Sequence, residues 1–220
     1  MKETLKIGVI GLGGRGYDLM ASVMLPRPDI QVLAVSDLYE DRREKAAAKV
    51  KEERGIDPLC TANYREVLAM PELDAVIVST SWADHLHIAI AAMKAGKYVA
   101  TEVGGAYSLD ECWELVRTHE ETGVPCMMLE NCCYGREELM VLNMVKKGLF
   151  GEVVHCQGGY RHDLRDEVSF GRENRHYRLV NYLNRNCENY PTHELGPIAK
   201  ILNINRGNRM LTLNSVASKS

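Results

Sequence analysis

Two stretches of this chain hold residues whose types and spacing suit chemistry. The first is Gly11-Leu12-Gly13-Gly14-Arg15-Gly16, which carries the spacing G-x-G-x-x-G. The apolar, β-branched run Lys6–Ile10 precedes it, and Tyr17–Leu25, rich in Leu, Met, Ala and Val, follows it as a predicted helix. In such a strand–turn–helix, Gly11 allows the tight turn, Gly13 lets a pyrophosphate approach the backbone, and Gly16 lets helix and strand pack closely. Free N–H groups at the start of the helix then hold the diphosphate. A second apolar run, Gln31–Ser36, ends in Asp37, 37 − 11 = 26 residues after the first motif glycine. An acidic residue there meets the adenosine ribose hydroxyls and favours NAD over NADP, with Arg42 close by as a rival phosphate contact. The second stretch is Asn189-Tyr190-Pro191-Thr192-His193. Tyr190 and His193 are three apart around a proline turn that enters a helix, so both side chains can be aimed to one side. A phenol and an imidazole suit proton transfer. Taken alone, His193 reads better as a helix N-terminal residue that satisfies local backbone.

The elements that must position these residues follow an alternating pattern. Arg42–Arg54 is a charged helix closed by Gly55, and Asn63–Met70 is a short helix ended before Pro71. Leu73–Thr80 is a buried strand, and Ser81–His85 is the loop at its carboxyl end, the edge where open α/β sheets bind ligands. A helix over His87–Ala95 stops at Gly96, the strand Lys97–Glu102 follows, and Ser108 with Glu111 forms a capping box ahead of the next helix. Val124–Glu130 closes the set. Strand and helix in alternation predict a doubly wound parallel sheet, an α/β Rossmann domain over 1–130. From 131 to 220 the pattern changes to the start of an α+β domain: a helix over Glu137–Lys147, a strand over Glu152–Tyr160, the polar segment Arg161–Glu188 with six arginines and five acids, a helix over Glu194–Asn203 and a strand over Arg209–Ala217. Two strands cannot cover their own faces and edges, so the chain is expected to be truncated relative to complete relatives.

Composition narrows the function classes. Among 220 residues, 45% are hydrophobic, 26% are charged and the net charge is −3, which gives no reason to expect a nucleic-acid partner. No stretch approaches the apolar length of a membrane span, and the first strand begins too early to leave room for a signal peptide. A cytoplasmic protein is expected. Seven scattered cysteines with no C-x-x-C pair point to reduced thiols, with Cys132-Cys133 as buried small hydrophobes. No metal site is expected.

The combination resembles the Gfo/Idh/MocA oxidoreductase superfamily, a Rossmann half followed by a substrate-binding sheet. Within it, Glu130-Asn131-Cys132-Cys133-Tyr134, Val141–Val145, Gly151-Glu152, Gln157–Arg165 and Asn186–Pro197 (NCENYPTHELGP) resemble glycoside hydrolase family 109. Known members of that family are NAD-dependent α-N-acetylgalactosaminidases. The resemblance implies hydrolysis by transient oxidation at sugar C3, loss of the C2 proton, elimination of the C1 substituent, water addition and re-reduction, an exception to the two-carboxylate scheme. It implies Tyr190, His193 and Tyr160 as catalytic residues, with His162 and Arg165 also contacting a carbohydrate substrate. It implies NAD contacts from Gly11, Gly13, Gly14, Arg15, Gly16, Asp37, Trp82, His85, Glu102 and Asn131, and a homo-oligomer formed through the second domain. By their own types, Tyr160 is as much a packing tyrosine and His162 and Arg165 as much a solvated loop; Glu130 reads as structural and His155 as strand packing. Many dehydrogenases of the superfamily carry Glu-Lys-Pro after the fifth strand, with the lysine catalytic. Glu102-Val103-Gly104 stands there in this chain, which disfavours the alternative of a sugar or cyclitol dehydrogenase with net NAD turnover. A second alternative is a nucleotide-binding fragment without catalysis.

Overall fold

The computed structural model describes residues 4–217. Its contacts divide the chain into two units, Met1–Leu129 and Glu130–Ser220. In the first, six strands run β1 (Leu5–Ile10), β2 (Ile30–Ser36), β3 (Leu59–Thr61), β4 (Ala75–Val78), β5 (Tyr98–Thr101) and β6 (Cys126–Met128). They form one sheet in the order β3-β2-β1-β4-β5-β6, and every adjacent pair is parallel. Helices α1 (Gly14–Leu19), α2 (Glu40–Arg54), α3 (Tyr64–Leu68), α4 (His85–Lys94) and α5 (Leu109–Thr122) lie in the crossovers. This is the Rossmann order, reversing direction between β1 and β4.

Alternation along β1 explains the two layers of core. Ile7 and Val9 join Val32 and Val35 against Met20, Met24, Ala46 and Val50. Ile10 joins Ala34, Val76 and Val78 against Val67, Ile88, Ala89 and Met93. Covered on both faces, the strands read as continuous apolar runs rather than alternating ones. Tight covering also fixes the turn after β1. Gly11 has φ +92°, and a Cβ there would lie 2.5 Å from the Ser79 carbonyl group; one at Gly16 would lie 2.0 Å from the Gly11 oxygen. The turn, α1 and the end of β4 therefore close on one another with no room for a side chain.

Local signals behave as their chemistry requires. Gly55 and Gly123 end α2 and α5 in the left-handed conformation. Ser108 accepts from the Glu111 N–H while the Glu111 side chain accepts from the Ser108 N–H, the reciprocal box at the start of α5. Most element ends shift by one to three residues from the sequence reading, and differences in kind occur at the first helix, β3 and α4. The first helix begins at Gly14 and then widens into a π turn over Met20–Met24. Strand β3 was not anticipated, because Leu59-Cys60-Thr61 is too short to show a period and gains its structure from pairing with β2. Helix α4 starts at His85, so that residue opens a helix instead of closing a loop.

The described residues of the second unit hold a 3₁₀ turn (Asn131–Cys133) and four helices, α6 (Arg136–Lys146), α7 (Arg165–Val168), α8 (Arg178–Asn184) and α9 (Thr192–Ile201). The strands expected over Glu152–Tyr160 and Arg209–Ala217 do not form. Both segments are irregular, and among the described residues the unit's only bridge is an isolated one between Ile204 and Asn208. β-Branched composition makes a segment suited to a sheet, but ladder hydrogen bonds need a neighbour, and none is paired here. His155, expected to pack in the first of these strands, is exposed. The polar segment after Tyr160 instead contains α7 and α8. Among the described residues no helix is long and apolar enough to cross a membrane, and all seven cysteines are free.

Replacing Ser108 with Ala removes one half of the capping box and is expected to cost about 1 kcal/mol. The urea midpoint of the first unit's transition should fall accordingly, with NAD affinity unchanged.

Candidate functional site

Chemistry-bearing side chains gather in two places, one in each unit. In the first unit, the turn after β1 delivers Leu12, Gly13 and Gly14 to the carboxyl edge of the sheet at the strand-order switch. Beta carbons added at Gly13 or Gly14 would meet at most the Arg42 guanidinium, 3.7 Å from the former, so the loop's outer side is an open backbone cradle. Asp37, at the end of β2, holds this cradle in shape: its Oδ2 accepts from the Leu12 N–H at 2.7 Å and its Oδ1 from the Tyr39 N–H at 2.9 Å. Arg42 approaches Asp37 at 3.9 Å, and Arg43 donates to the Asp37 and Leu38 carbonyls. An acidic side chain beside bare glycine backbone fits a dinucleotide, with ribose hydroxyls at the carboxylate and phosphates at the N–H groups.

Across the same edge, Arg15 donates through Nε to Glu102 Oε1 at 3.0 Å, and Glu102 Oε2 accepts from the Val103 N–H. Two residues expected at the cofactor thus tie the glycine loop to the end of β5. Trp82 and His85 are buried. The indole lies against Gly104, and the His85 ring nitrogens meet the Thr80 carbonyl at 3.1 Å and the Gly104 carbonyl at 3.3 Å. A neutral imidazole donates to only one of these acceptors. Burial, the larger effect, nevertheless holds His85 below its ordinary pKa, against the pull of the two carbonyls. His85 therefore joins the loops that follow β4 and β5, with both ring nitrogens facing backbone carbonyls.

In the second unit, α9 and the turn that enters it bring His193 and Tyr190 to Tyr160. Pro191 stands at the N-cap, where its missing N–H costs nothing. Pro197 lies inside α9 and cannot donate to the His193 carbonyl, loosening the turn that bears the histidine. The ring centroids of Tyr160 and Tyr190 are 5.3 Å apart, and His193 stands edge-on to both, at 4.8 Å and 4.6 Å. Tyr160 also bonds through its hydroxyl to His162 Nδ1 at 2.8 Å. A cavity of about 350 Å³ opens beside them, lined by Tyr160, His162, Arg178, Tyr182, Glu188 and Tyr190 among others. The Arg178 guanidinium stands 5.1 Å over the Tyr190 ring.

The group that positions His193 is one that the sequence reading set aside as structural. Glu130 Oε1 accepts from His193 Nδ1 at 2.6 Å and from the Cys132 N–H at 3.0 Å, with both side chains of the pair nearly covered. The contact depends on close approach of α9 to the turn below it: a Cβ at Gly196 would come within 2.8 Å of Cys133 Sγ and 3.2 Å of Glu130 Cγ. With Nδ1–H held by a carboxylate, Nε2 is left as the basic nitrogen. No spacing signal could have paired residues 63 positions apart; the only hint was an acid at the end of a strand. Arg165 is not brought to the cluster; it forks onto Asp163 in solvent. Asn131 is exposed and contacts Cys132 Sγ at 3.9 Å. Burial and the carboxylates of Glu130 and Glu138 push the Cys132 thiol up.

Comparison with known proteins divides at the same place. Residues 5–130 match the model of the oxidoreductase family with NAD-binding Rossmann fold (Gfo/Idh/MocA), and residues 134–220 match the glycosyl hydrolase 109 C-terminal domain. A glycosyl hydrolase family 109 protein of Solibacter usitatus is 43% identical over 99% of this chain and 51% of its own length. An α-N-acetylgalactosaminidase of Shewanella oneidensis is 39% identical over 98% of this chain and 48% of its own. The chain spans about half the length of the curated relatives it matches. Among solved structures, scyllo-inositol dehydrogenase from Lactobacillus casei with bound NAD(H) and scyllo-inositol superposes with a TM-score of 0.59 at 18% identity, over 68% of this chain and 43% of that one. A probable dehydrogenase from Thermotoga maritima gives 0.59 at 28%, over 67% and 42%. The first of these likenesses establishes the fold.

Asp37→Ala removes the carboxylate expected to meet the ribose and the anchor of the Leu12 N–H, so NAD affinity measured by calorimetry should fall by more than about tenfold. His85 supplies a pH test. Its folded pKa lies below the ordinary 6.5, so the unfolded chain takes up the proton first as pH falls. The stabilisation is complete above the unfolded value and is lost towards the folded one. Urea midpoints compared at about pH 7.5 and about pH 5.5 should drop less steeply for His85→Gln than for the unaltered chain.

Proposed function

Because this chain belongs to the Gfo/Idh/MocA oxidoreductase family and carries a glycosyl hydrolase 109 C-terminal domain over residues 134–220, we propose that it acts as an NAD-dependent glycosidase on α-N-acetylgalactosaminides. The observation that carries the reading is the cluster of Tyr160, Tyr190 and His193, with Glu130 behind the imidazole. It offers proton carriers without the paired carboxylates that most glycosidases present to the scissile bond. The first unit contributes the dinucleotide cradle: Gly13 and Gly14 backbone for the phosphates, and Asp37 for the ribose.

NAD, when bound, supplies a reversible hydride acceptor for C3 of the sugar. The chain's own residues handle protons. Glu130 keeps the Nδ1 proton of His193 in place and stabilises the imidazolium that forms when Nε2 takes up a second one. Two protons must leave the sugar, from the C3 hydroxyl and from C2, and the departing C1 substituent must receive one. His193 Nε2 and the Tyr190 hydroxyl are the groups for these transfers, with Tyr160 linked through its own hydroxyl to His162. Addition of water would draw on the same groups in reverse, returning protons to C2 and to the C3 oxygen. Val103 and Gly104 stand where a lysine-assisted dehydrogenase carries its lysine and proline, which supports cleavage over net sugar oxidation.

The deciding measurement is nitrophenol release from an aryl α-N-acetylgalactosaminide, with and without NAD, while NADH absorbance is followed. NAD-dependent release without accumulating NADH is expected. Stoichiometric NADH from a free sugar would favour the dehydrogenase reading, and NAD binding with no release would mean a chain without this catalysis. His193→Ala should lose at least about 100-fold in turnover with NAD affinity unchanged; normal turnover would remove the histidine from the mechanism.

A further inference from the structure

Glu130, Cys132 and His193 bring a carboxylate oxygen, a thiol sulfur and an imidazole nitrogen within 4.8 Å of one another. Hydrogen bonding does not exhaust this group. Glu130 is 4% exposed, yet its Oε2 is buried with no hydrogen-bond partner. A carboxylate oxygen taken from water and left without a donor is costly, and such atoms in folded proteins call for a reason. The donor set supplies one. Nitrogen, sulfur and oxygen ligands in a small cluster are what zinc-class cations take, whereas Mg²⁺ and Ca²⁺ seek six or more oxygens.

The distances suit that class. Tetrahedral coordination at about 2.0–2.3 Å from the metal sets ligand atoms about 3.3–3.6 Å apart. Atoms already within 4.8 Å need small rotations to reach this spacing. Nδ1 and Oε1, 2.6 Å apart, must separate slightly, and the unpartnered Oε2 gives Glu130 a second oxygen to offer. Asn131 donates to Cys132 Sγ at 3.9 Å, a contact of the kind that steadies a metal-bound thiolate.

We propose that Glu130, Cys132 and His193 form a site for a thiophilic divalent cation, Zn²⁺ being the expected occupant, with three protein ligands and a fourth position open. On binding, the Cys132 thiol releases its proton to solvent as the metal–sulfur bond forms. The His193 proton moves from Nδ1 to Nε2 as Nδ1 ligates the metal, breaking the bond to Glu130. One proton leaves in all, and no electron changes hands. On the reading of His193 as a proton carrier, the occupied site has no basic Nε2 lone pair left, so the cation blocks turnover. Binding itself does not depend on that reading.

The test is a Co²⁺ titration of the 220-residue chain, watched through the thiolate-to-cobalt charge-transfer band and the visible bands of tetrahedral cobalt. A band that saturates at one Co²⁺ per chain and is bleached by Zn²⁺ is expected. Cys132→Ser should abolish the charge-transfer band while keeping its circular dichroism, and His193→Ala should weaken cobalt binding by at least about tenfold. Cys187→Ser, which alters an exposed thiol of the same unit, should leave the band unchanged. Absence of the band, or its survival in Cys132→Ser, overturns the proposal. Because the readout is binding, a chain with no glycosidase activity leaves the test intact.

Discussion

Strand β1 is bonded on both edges to parallel neighbours and covered on both faces, and the first unit depends on that confinement. A strand buried in this way must end in a turn that uses no volume, because β4 runs alongside it and α1 has to return across it. Gly11 meets the demand, and the consequence is chemical. The chain leaves the sheet with bare backbone, open beyond Gly13 and Gly14, at the place where the strand order reverses. The same constraint explains Asp37. Strand β2 ends beside β1, so its first residue beyond the sheet reaches the Leu12 N–H and shapes the loop before any ligand is considered.

The second unit is held together differently. Its described residues contain no ladder of strands, and its order comes from helix contacts and a few polar anchors. Among these is the close approach of α9 to the turn Asn131–Cys133, and Gly196 is what permits it. Through that approach a buried carboxylate reaches an imidazole from far along the chain. A charged oxygen in a covered place is held by its bonds to His193 and to the Cys132 N–H, and its second oxygen is left over. An incompletely satisfied polar group of this kind suits both uses proposed for the cluster, holding an imidazole for proton transfer and taking a cation.

The division of labour between the units follows from what each architecture can offer. A parallel sheet presents backbone donors and an acid at its carboxyl edge, suited to a dinucleotide but poor in proton carriers. Helix α9, the turn before it and the segment around Tyr160 present phenols and imidazoles beside a cavity, suited to moving protons. The family match divides in the same way, with the Rossmann description over the first part and the glycosyl hydrolase description over the second.

The sequence by itself determined the Rossmann unit, because its evidence is local: apolar runs, glycine turns, the Ser108–Glu111 box and helix-ending glycines each fix the conformation of their own neighbours. It also singled out Tyr160, Tyr190 and His193 as candidates, from the spacing of two of them and from resemblance to a known family, and the fold brings the three rings together. What it misjudged depends on partners. Residues 152–160 and 209–217 have strand composition, but a strand is a relation between two segments, and composition describes one. Leu59–Thr61 shows the converse, a strand made by its neighbour. Glu130 became the partner of His193 only when α9 settled against the turn before α6. Tertiary structure alone decided that pairing, because a hydrogen bond of 2.6 Å is set by the packing of two elements and leaves no period or spacing in the residues that form it.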